Sequence, residues 1–101
     1  MVFRQVDVLL TPTSLLPAPV LGQFKFHLHG REWDIGDLAS RLTRPFNTSG
    51  HPAVSVPCGF TPEGLPLAIQ LAGDNFDETV ILRVADAYQR ATKWHNRRPP
   101  L

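Results

Sequence analysis

The amino-acid sequence predicts a small α/β domain in which a β-hairpin of a mixed sheet is covered by a long C-terminal helix. Two apolar segments, 53–60 and 67–72, have the composition of β-strands and are separated by turn residues at 61–64. Between residues 77 and 95, apolar residues then recur at steps of three and four, which is the spacing of an amphipathic helix. A length of 101 residues allows one such domain, and 43% hydrophobic residues are enough for a modest core.

The N-terminal third predicts a strand, a loop and a second strand. Residues 6–11 form a short apolar run typical of a strand that is buried on both faces. Three prolines within 12–22 predict an ordered loop, because proline fixes φ and lacks an N–H donor. Residues 24–29 alternate between apolar and polar side chains, which predicts a half-buried strand.

Two short helices are expected between residues 34 and 50. Asp34 is placed to cap a first helix, whose apolar side chains are spaced by three and four: Ile35, Leu38 and Leu42. In the second helix Pro45 lies in the first turn after Thr43 or Arg44, and Gly50 marks its end.

The C-terminal elements carry more specific expectations. Pro57 marks an edge strand, a bulge or a strand end within 53–60, because it cannot donate to a β-ladder. Asn75 with Glu78 predicts a capping box at the start of the last helix, and we assign Asp74 and Asp77 to the same capping role rather than to a metal. The predicted apolar stripe of this helix consists of Val80, Val84, Ala87, Ala91 and Trp94, widened by Ile81, Leu82, Ala85 and Tyr88.

Charge and cysteine content exclude several classes of protein. The net charge of +1 provides no strong field for nucleic acid or a membrane surface, and neither is expected as a partner. The basic tail with Lys93, Arg97 and Arg98 is typical of a solvated helix end. Because Cys58 is the only cysteine and no secretory signal or long apolar segment is present, a cytoplasmic location is expected.

Several motifs in a fixed order resemble one family. Residues 43–60 have the sequence TRPFNTSGHPAVSVPCGF, and residues 64–73 have the sequence GLPLAIQLAG, followed by Phe76-Asp77-Glu78. They resemble the C-terminal end of the amidase-signature family, with the patterns T-x-P-F-N-x-x-G-x-P-A-x-S-x-P-x-G and G-L-P-x-G-x-Q-x-x-G. The opening DVLLTPT at 7–13 is similar to the strand and D-x-L-x-x-P loop of the same family. The chain as a whole resembles the C-terminal region of a bacterial-type amidase, related to the A subunit of glutamyl-tRNA amidotransferase.

The resemblance implies an enzyme whose chemistry lies outside this sequence. Family members hydrolyse amides through a Ser–Ser–Lys triad, with backbone N–H donors of a Gly- and Ser-rich loop for the oxyanion, and need no metal or organic cofactor. The sequence contains no Gly-Ser-Ser-Gly-like run, and its only lysines, Lys25 and Lys93, are not in the family's catalytic context. No catalytic residue is therefore assigned. The candidates for a substrate-pocket wall are Thr11, Pro12, Ser40, Thr43 and Asn47.

Each pocket candidate has a structural alternative, and two positions depart from the family pattern. Thr43 can serve as a helix cap, and Asn47 can bond to backbone near Gly50. Ala68 stands where glycine is usual. Ser40 stands where glutamine-using tRNA amidotransferases have an acid, which argues against recognition of the ammonium group of glutamine.

The residue types also raise two other possibilities, a zinc site and a thiol nucleophile. His27 and His29 would share one face of a strand, but two imidazoles without a third ligand do not make a zinc site. Cys58 with His51 could form a thiol nucleophile, although a cysteine at the end of an apolar strand usually acts as a small hydrophobe.

Residues 1–101 are accordingly interpreted as a partial amidase-signature domain, whose upstream core is cut away. In this interpretation, a small-molecule amide binds only together with the missing N-terminal region, and exposed sheet edges can lead to association. The alternatives are a non-catalytic structural or binding module, or one half of a split amidase.

Overall fold

The computed structural model describes residues 2–100, which form two antiparallel sheets and three α-helices. The strands are β1 (Val8–Pro12), β2 (Lys25–Leu28), β3 (Arg31–Asp34), β4 (Ala53–Phe60) and β5 (Pro66–Gly73). The helices are α1 (Ile35–Ser40), α2 (Arg44–Ser49) and α3 (Glu78–Ala91), with 3₁₀ turns at Val2–Arg4 and Trp94–Asn96. The predicted α/β class and order of the main elements are confirmed, and β3 is an additional strand. Within residues 2–100 both sheets are antiparallel rather than mixed as predicted.

The larger sheet has the order β1-β5-β4, so the hairpin strand β5 lies at its centre. The predicted hairpin is confirmed, and its turn closes with the Gly64 N–H donating to the Thr61 carbonyl at 2.9 Å. Pro57 lies on the outer strand β4, and the register shifts between Pro57 and Gly59 as in a β-bulge. Both expectations for this proline, an edge strand and a bulge, are therefore confirmed.

Helix α3 covers the hairpin, and the main core lies between them. Val56 of β4 and Leu71 of β5 are buried against Ile81 and Ala85 of α3. The half-buried side chains around this cluster are Val8, Val54, Ile69 and Tyr88. The predicted packing of the helix on both hairpin strands is confirmed.

The face that α3 buries differs from the predicted stripe. Ile81 and Ala85 are buried, whereas Val84, Ala87 and Ala91 are exposed. All of these residues belong to one broad apolar surface, so periodicity alone could not fix the rotation of the helix. Contact with the sheet selects the Ile81 side of that surface.

The ends of α3 also differ from the expectation. Asp77 occupies the N-cap position without a side-chain cap bond, and the Asn75 N–H is bonded to Asp74 Oδ1, so the predicted capping box is wrong. The helix ends at Ala91 rather than near residue 95, because Thr92 is extended and its hydroxyl donates to the Tyr88 carbonyl at 3.1 Å.

Strand β1 begins later and is more exposed than predicted. It spans Val8–Pro12, and Leu10 is 63% exposed. No residue of β1 is fully buried, so the expected burial on both faces is wrong for the described residues. As an outer strand of the larger sheet, β1 also has a sheet neighbour on one side only.

The second sheet is the hairpin of β2 and β3. Its two-residue loop consists of His29 and Gly30, which both have positive φ, 50° and 70°, as in a type I′ turn. The strand predicted at 24–29 is thus confirmed over Lys25–Leu28, while β3 was not expected, since three of its four residues are charged.

The two short helices are confirmed, although α1 ends at Ser40 and Leu42, which was predicted on this helix, lies in the turn that follows. The Asp34 carboxylate accepts a hydrogen bond from the Asp37 N–H at 3.3 Å and caps α1. Gly50 adopts φ 76° at the end of α2, and its N–H donates to the Phe46 carbonyl. Among residues 2–100, no helix has the length and apolar character needed to cross a membrane.

Candidate functional site

A row of polar side chains crosses the face of the larger sheet that is turned away from α3. Gln70 of β5 lies between Thr11 of β1 and Ser55 of β4 in the strand register. Successive strand residues point to opposite faces, and the neighbouring Leu71 belongs to the core under α3. The Ser55 hydroxyl lies 2.7 Å from that of Thr13, which extends the row.

Gln70 is the central member of this row. It is 4% exposed and is the buried polar side chain of the described core. Its Nε2 donates to Thr11 Oγ1 at 3.2 Å and to the Leu42 carbonyl at 3.1 Å. Both amide hydrogens are therefore used, and the burial of this group is compensated.

The Leu42 contact brings the α1–α2 connection next to the end of β1. Ser40 and Thr43 flank this carbonyl in sequence, and both hydroxyls are bonded to nearby backbone. Ser40 Oγ donates to the Gly36 carbonyl at 2.6 Å, and Thr43 Oγ1 donates to the Ser40 carbonyl at 3.1 Å. The alternative role of Thr43 as a helix cap is confirmed for its position, the N-cap of α2, but its side chain makes no cap bond.

The five pocket candidates fall into three groups. Thr11, Ser40 and Thr43 are half-buried, and Gln70 connects Thr11 to the carbonyl of Leu42, which lies between Ser40 and Thr43 in sequence, whereas Asn47 is exposed on α2. In the described residues the Asn47 side chain makes no hydrogen bond, and the backbone near Gly50 is satisfied by the Phe46 carbonyl instead.

Pro12 belongs to a separate apolar groove with a volume of about 330 Å³. The loop after β1 forms one side of this groove, with Leu16 and Pro17, and the hairpin forms the other, with Cys58 and Ala68. The groove does not include Ser40, Thr43 or Asn47. Thr11 is not among its lining residues either, so Pro12 is the one candidate that lines this groove.

The charged feature nearest to the α1–α2 connection is an ion pair. Arg44 Nη2 lies 2.7 Å from Asp37 Oδ1. The hydrogen bond and positive charge of Arg44 lower the pKa of the Asp37 carboxyl below its usual range. Both side chains are more than half exposed, so this carboxylate is compensated by arginine and screened by solvent.

A cluster of Ser49, His51 and Asp74 was not anticipated from the sequence. His51 Nδ1 lies 2.7 Å from Ser49 Oγ, and Nε2 lies 3.7 Å from Asp74 Oδ1. The Phe3 ring packs against the imidazole at 5.2 Å between centroids. Since the three residues carry no motif and Asp74 is distant in sequence from the other two, only the fold brings Asp74 to His51.

This cluster lacks the parts of a hydrolytic site. His51 Nε2 is buried and makes no hydrogen bond within the described chain. The N–H of Gly50, next to Ser49, donates to the Phe46 carbonyl and so is not free for an oxyanion. The contacts instead hold the start of β4 against the turn between β5 and α3.

The structure brings together neither the two histidines of the zinc alternative nor the Cys58 and His51 of the thiol alternative. His27 lies on β2 and is 3.6 Å from Glu32, whereas His29 is in the turn, so the two imidazoles do not share a strand face. Residues 2–100 contain no group of three or more His, Cys, Asp or Glu side chains placed to bind a metal. His51 faces Ser49 and Asp74, while Cys58 lines the apolar groove.

The serines of the described chain form no Ser–Lys pair. Ser14 accepts from the Leu16 N–H, and Ser55 is bonded to Thr13. Lys25 Nζ lies 3.9 Å from a Glu32 carboxylate oxygen. The polar side chains of this region can form part of a pocket wall, but within residues 2–100 no serine is hydrogen-bonded to a lysine that would activate it.

Comparison with known proteins identifies the same family along most of the chain. The amidase family model matches residues 1–82. The A subunit of glutamyl-tRNA(Gln) amidotransferase from Chloroflexus aggregans is 48% identical over 105 aligned positions, which cover 99% of this chain and 19% of that protein. The chain therefore spans about a fifth of the length of this curated relative.

Solved structures agree with the sequence comparison. A crystal structure of an amidase superimposes with a TM-score of 0.81 and 29% identity, over 88% of this chain and 20% of that chain. A structure of 6-aminohexanoate cyclic dimer hydrolase superimposes with a TM-score of 0.73 and 32% identity, over 92% of this chain and 21% of that chain. The motifs, the fold and these similarities together show that the chain belongs to the amidase family.

Proposed function

We propose that this chain is the C-terminal part of an amidase-signature hydrolase and supplies sheet, helix and pocket wall but no catalytic residues. The whole enzyme hydrolyses carboxylic amides by the Ser–Ser–Lys mechanism that the family resemblance implies. The observation that carries the proposal is the amidase match over residues 1–82, in a chain that spans about a fifth of its relatives. Its substrate is a small-molecule amide, which binds only when the remaining part of the domain is present.

The distribution of exposed apolar side chains supports a missing neighbour. Leu21 is 99% exposed, Phe76 is 92% exposed, and Val20 and Phe24 are also largely exposed. Phe76 adopts φ 66°, an uncommon conformation for a bulky residue. Apolar surface of this kind is typical of an interaction site, and the rest of an amidase domain is the occupant consistent with the family match.

The outer strands support the same proposal. β1 and β4 each have a sheet neighbour on one side only within the described residues. A sheet edge is a template for pairing with another strand. Without the upstream region, the chain associates through these edges; with it, the edges and the apolar surface become covered.

An activity assay tests the proposal directly. The purified chain is tested on aliphatic and aromatic amides, alone and after co-expression with the upstream four-fifths of an amidase-signature relative. We expect no turnover by the chain alone and measurable turnover by the assembly, because nucleophile, base and oxyanion donors must be held together. Turnover by the chain alone that is lost on changing Cys58 or one of its serines would contradict the proposal.

A matched control separates assembly from general stabilisation. The same upstream region with its nucleophilic serine changed to alanine should bind the chain equally well and give no turnover. The adjoining upstream DNA gives an independent answer. An open reading frame there that encodes the Gly/Ser-rich triad region favours the enzyme, whereas its absence favours a non-catalytic module.

Ser40 bears on which amide the assembled enzyme accepts. A carboxylate is the natural partner of the α-ammonium group of glutamine, but the Ser40 hydroxyl is neutral, and its proton is donated to the Gly36 carbonyl. The nearby carboxylate of Asp37 is paired with Arg44. The assembled enzyme is therefore not a glutamine-dependent tRNA amidotransferase, although several of its relatives carry that name.

A separate experiment tests whether the assembled enzyme accepts glutamine as a substrate. In the assembled enzyme, glutaminase activity is compared with hydrolysis of an uncharged amide, for the natural chain and for Ser40→Asp. We expect low glutaminase activity that rises in Ser40→Asp, with Ser40→Ala as the matched control. Efficient, tRNA-coupled glutaminase activity of the natural chain would contradict this expectation.

A further inference from the structure

We infer that Gln70 is a positioning residue, which fixes the α1–α2 segment of the pocket wall relative to the end of β1. The inference rests on the proposed function, because the wall matters only when the amidase is complete. In this role the Gln70 side chain contacts the backbone of the pocket wall at Leu42 and does not contact the substrate. The geometry that supports it is the burial of Gln70 and the two acceptors of its amide.

The orientation of the Gln70 amide follows from its partners. A backbone carbonyl oxygen can only accept a hydrogen bond, so the group that faces Leu42 must be the NH₂ of Gln70. The second hydrogen of the same nitrogen points to Thr11 Oγ1. Because the Thr11 oxygen accepts this bond, its own hydroxyl hydrogen is available for another acceptor.

The acceptor on Leu42 lies where the backbone needs a partner. Leu42 follows the C-cap residue Arg41 of α1 and precedes Thr43 at the N-cap position of α2. Carbonyls that follow a helix have no intrahelical donor. Gln70 supplies this donor from a strand that is 28 residues away in sequence.

Few other polar contacts join the α1–α2 segment to the larger sheet. The hydroxyls of Ser40 and Thr43 are bonded within that segment, and the Arg44 guanidinium is bonded to Asp37. Among the described residues, the Gln70–Leu42 bond is the side-chain hydrogen bond between this segment and the central strand. Loss of the NH₂ group would thus release the segment while leaving the contact of α3 with the hairpin in place.

The inference predicts a specific response to substitution. Gln70→Met keeps an unbranched side chain of similar length but removes both hydrogen bonds. Gln70→Glu keeps the shape and replaces the donor with an acceptor-only carboxylate at neutral pH. Thr11→Val removes only the β1 acceptor and leaves the Leu42 bond, so it separates the two contacts.

Gln23→Met is the matched control. Gln23 Nε2 also donates to a backbone carbonyl, that of Lys25, at 3.1 Å, but the side chain is exposed and remote in sequence from the wall segments. A general effect of exchanging glutamine for methionine would appear in this variant as well.

Hydrogen–deuterium exchange on the complete chain, alone or bound to the upstream region, tests the positioning role. We expect faster exchange in residues 40–47 for Gln70→Met and Gln70→Glu, with α3 unchanged, and no such change for Thr11→Val or Gln23→Met. Unchanged exchange in residues 40–47 would overturn the inference. Equal acceleration in all segments would also overturn it, because Gln70 would then support only overall stability.

Kinetics of the assembled amidase provide the second readout. A displacement of about 1 Å in a positioning element can lower activity about 100-fold. We expect Gln70→Met to lower kcat/KM on that scale, mainly through KM, and to change the ratio between small aliphatic and aromatic amides. An unchanged ratio and KM would contradict positioning of the wall. If the natural assembly is inactive, the proposed function fails, while the exchange experiment still decides the role of Gln70.

Discussion

The hairpin–helix half of the chain, residues 53–96, differs from the N-terminal half, residues 2–50, in where its apolar side chains go. In the former, Val56 and Leu71 are buried under α3. In the latter, Ile35 and Leu38 of α1 are buried, but Leu10, Leu21 and Phe24 are exposed. The hairpin and helix thus carry the main core, to which Val8 of β1 is added, whereas more of the large exposed apolar side chains lie in the N-terminal half, with Phe76 as the main exception. Such surface is suited to contact with another part of a larger domain.

The largest stability difference between the two halves should appear on truncation of a leucine. Leu71→Ala removes a side chain that is 1% exposed, and we expect a loss of about 2–5 kcal/mol in the free energy of unfolding. Leu21→Ala, the matched control, should change it by less than about 0.5 kcal/mol. Urea denaturation measures both, and equal losses would remove the distinction between the halves.

A smaller loss of stability is expected from Gly73→Ala, at the point where β5 approaches α3. A Cβ at Gly73 would lie 2.8 Å from Ile81 Cγ2, so Gly73→Ala overpacks the core. We expect a loss of about 1–3 kcal/mol in the free energy of unfolding. In an Ile81→Ala background the same substitution should cost much less, and a cost that does not depend on residue 81 would show that the contact is unimportant.

The contact of the C-terminal tail with β4 should contribute still less to the free energy of unfolding. The Arg97 guanidinium lies 4.0 Å from the centroid of the Phe60 ring, which also packs against Trp94. Arg97→Ala should lower the free energy of unfolding by about 0.5–1 kcal/mol, the usual range for an exposed cation–π contact. Arg98→Ala has the same change in charge without this ring contact, and a similar loss in both variants would argue against the contact.

The smallest effect is expected for the Asp37–Arg44 pair in the N-terminal half. Because Arg44 lowers the pKa of the Asp37 carboxyl in the folded chain, its stabilisation is present above about pH 4, the unfolded range, and is lost as the pH falls through the folded pKa. Unfolding midpoints at pH 7 and pH 3 for the natural chain and Asp37→Asn measure this loss. A midpoint difference between the two chains that is the same at both pH values would contradict the assigned pair.

The two halves also differ in how far the sequence predicted them. The hairpin and its turn follow from apolar runs and Thr61–Gly64, because local propensity and burial agree there. Strand β3 was missed because Arg31, Glu32 and Asp34 have low strand propensity or are charged. The only sequence signal for that hairpin was Gly30, because glycine tolerates the positive φ that both turn residues adopt, whereas His-Gly is not one of the strongly preferred pairs for this turn.

The candidate site shows the same division between local and tertiary information. Motif spacing singled out Ser40, Thr43 and Thr11, but it could not show that the Gln70 amide connects Thr11 to the carbonyl of Leu42. That contact depends on the order β1-β5-β4, which joins segments that are 59 positions apart for Gln70 and Thr11. For the same reason the approach of Asp74 to His51 was not predictable from either residue alone.

The bulge at Pro57 makes the two edges of the larger sheet different in their capacity to pair with a further strand. On the outer strand β4, proline lacks an N–H, and the shifted register between Pro57 and Gly59 bends the strand away from a regular ladder. On the opposite side, β1 is regularly paired with β5 from Val8 to Pro12. A further strand, from the same polypeptide or from another, can therefore continue the sheet more readily beyond β1 than beyond β4, where the bulge and the missing N–H of Pro57 weaken the edge as a template for pairing.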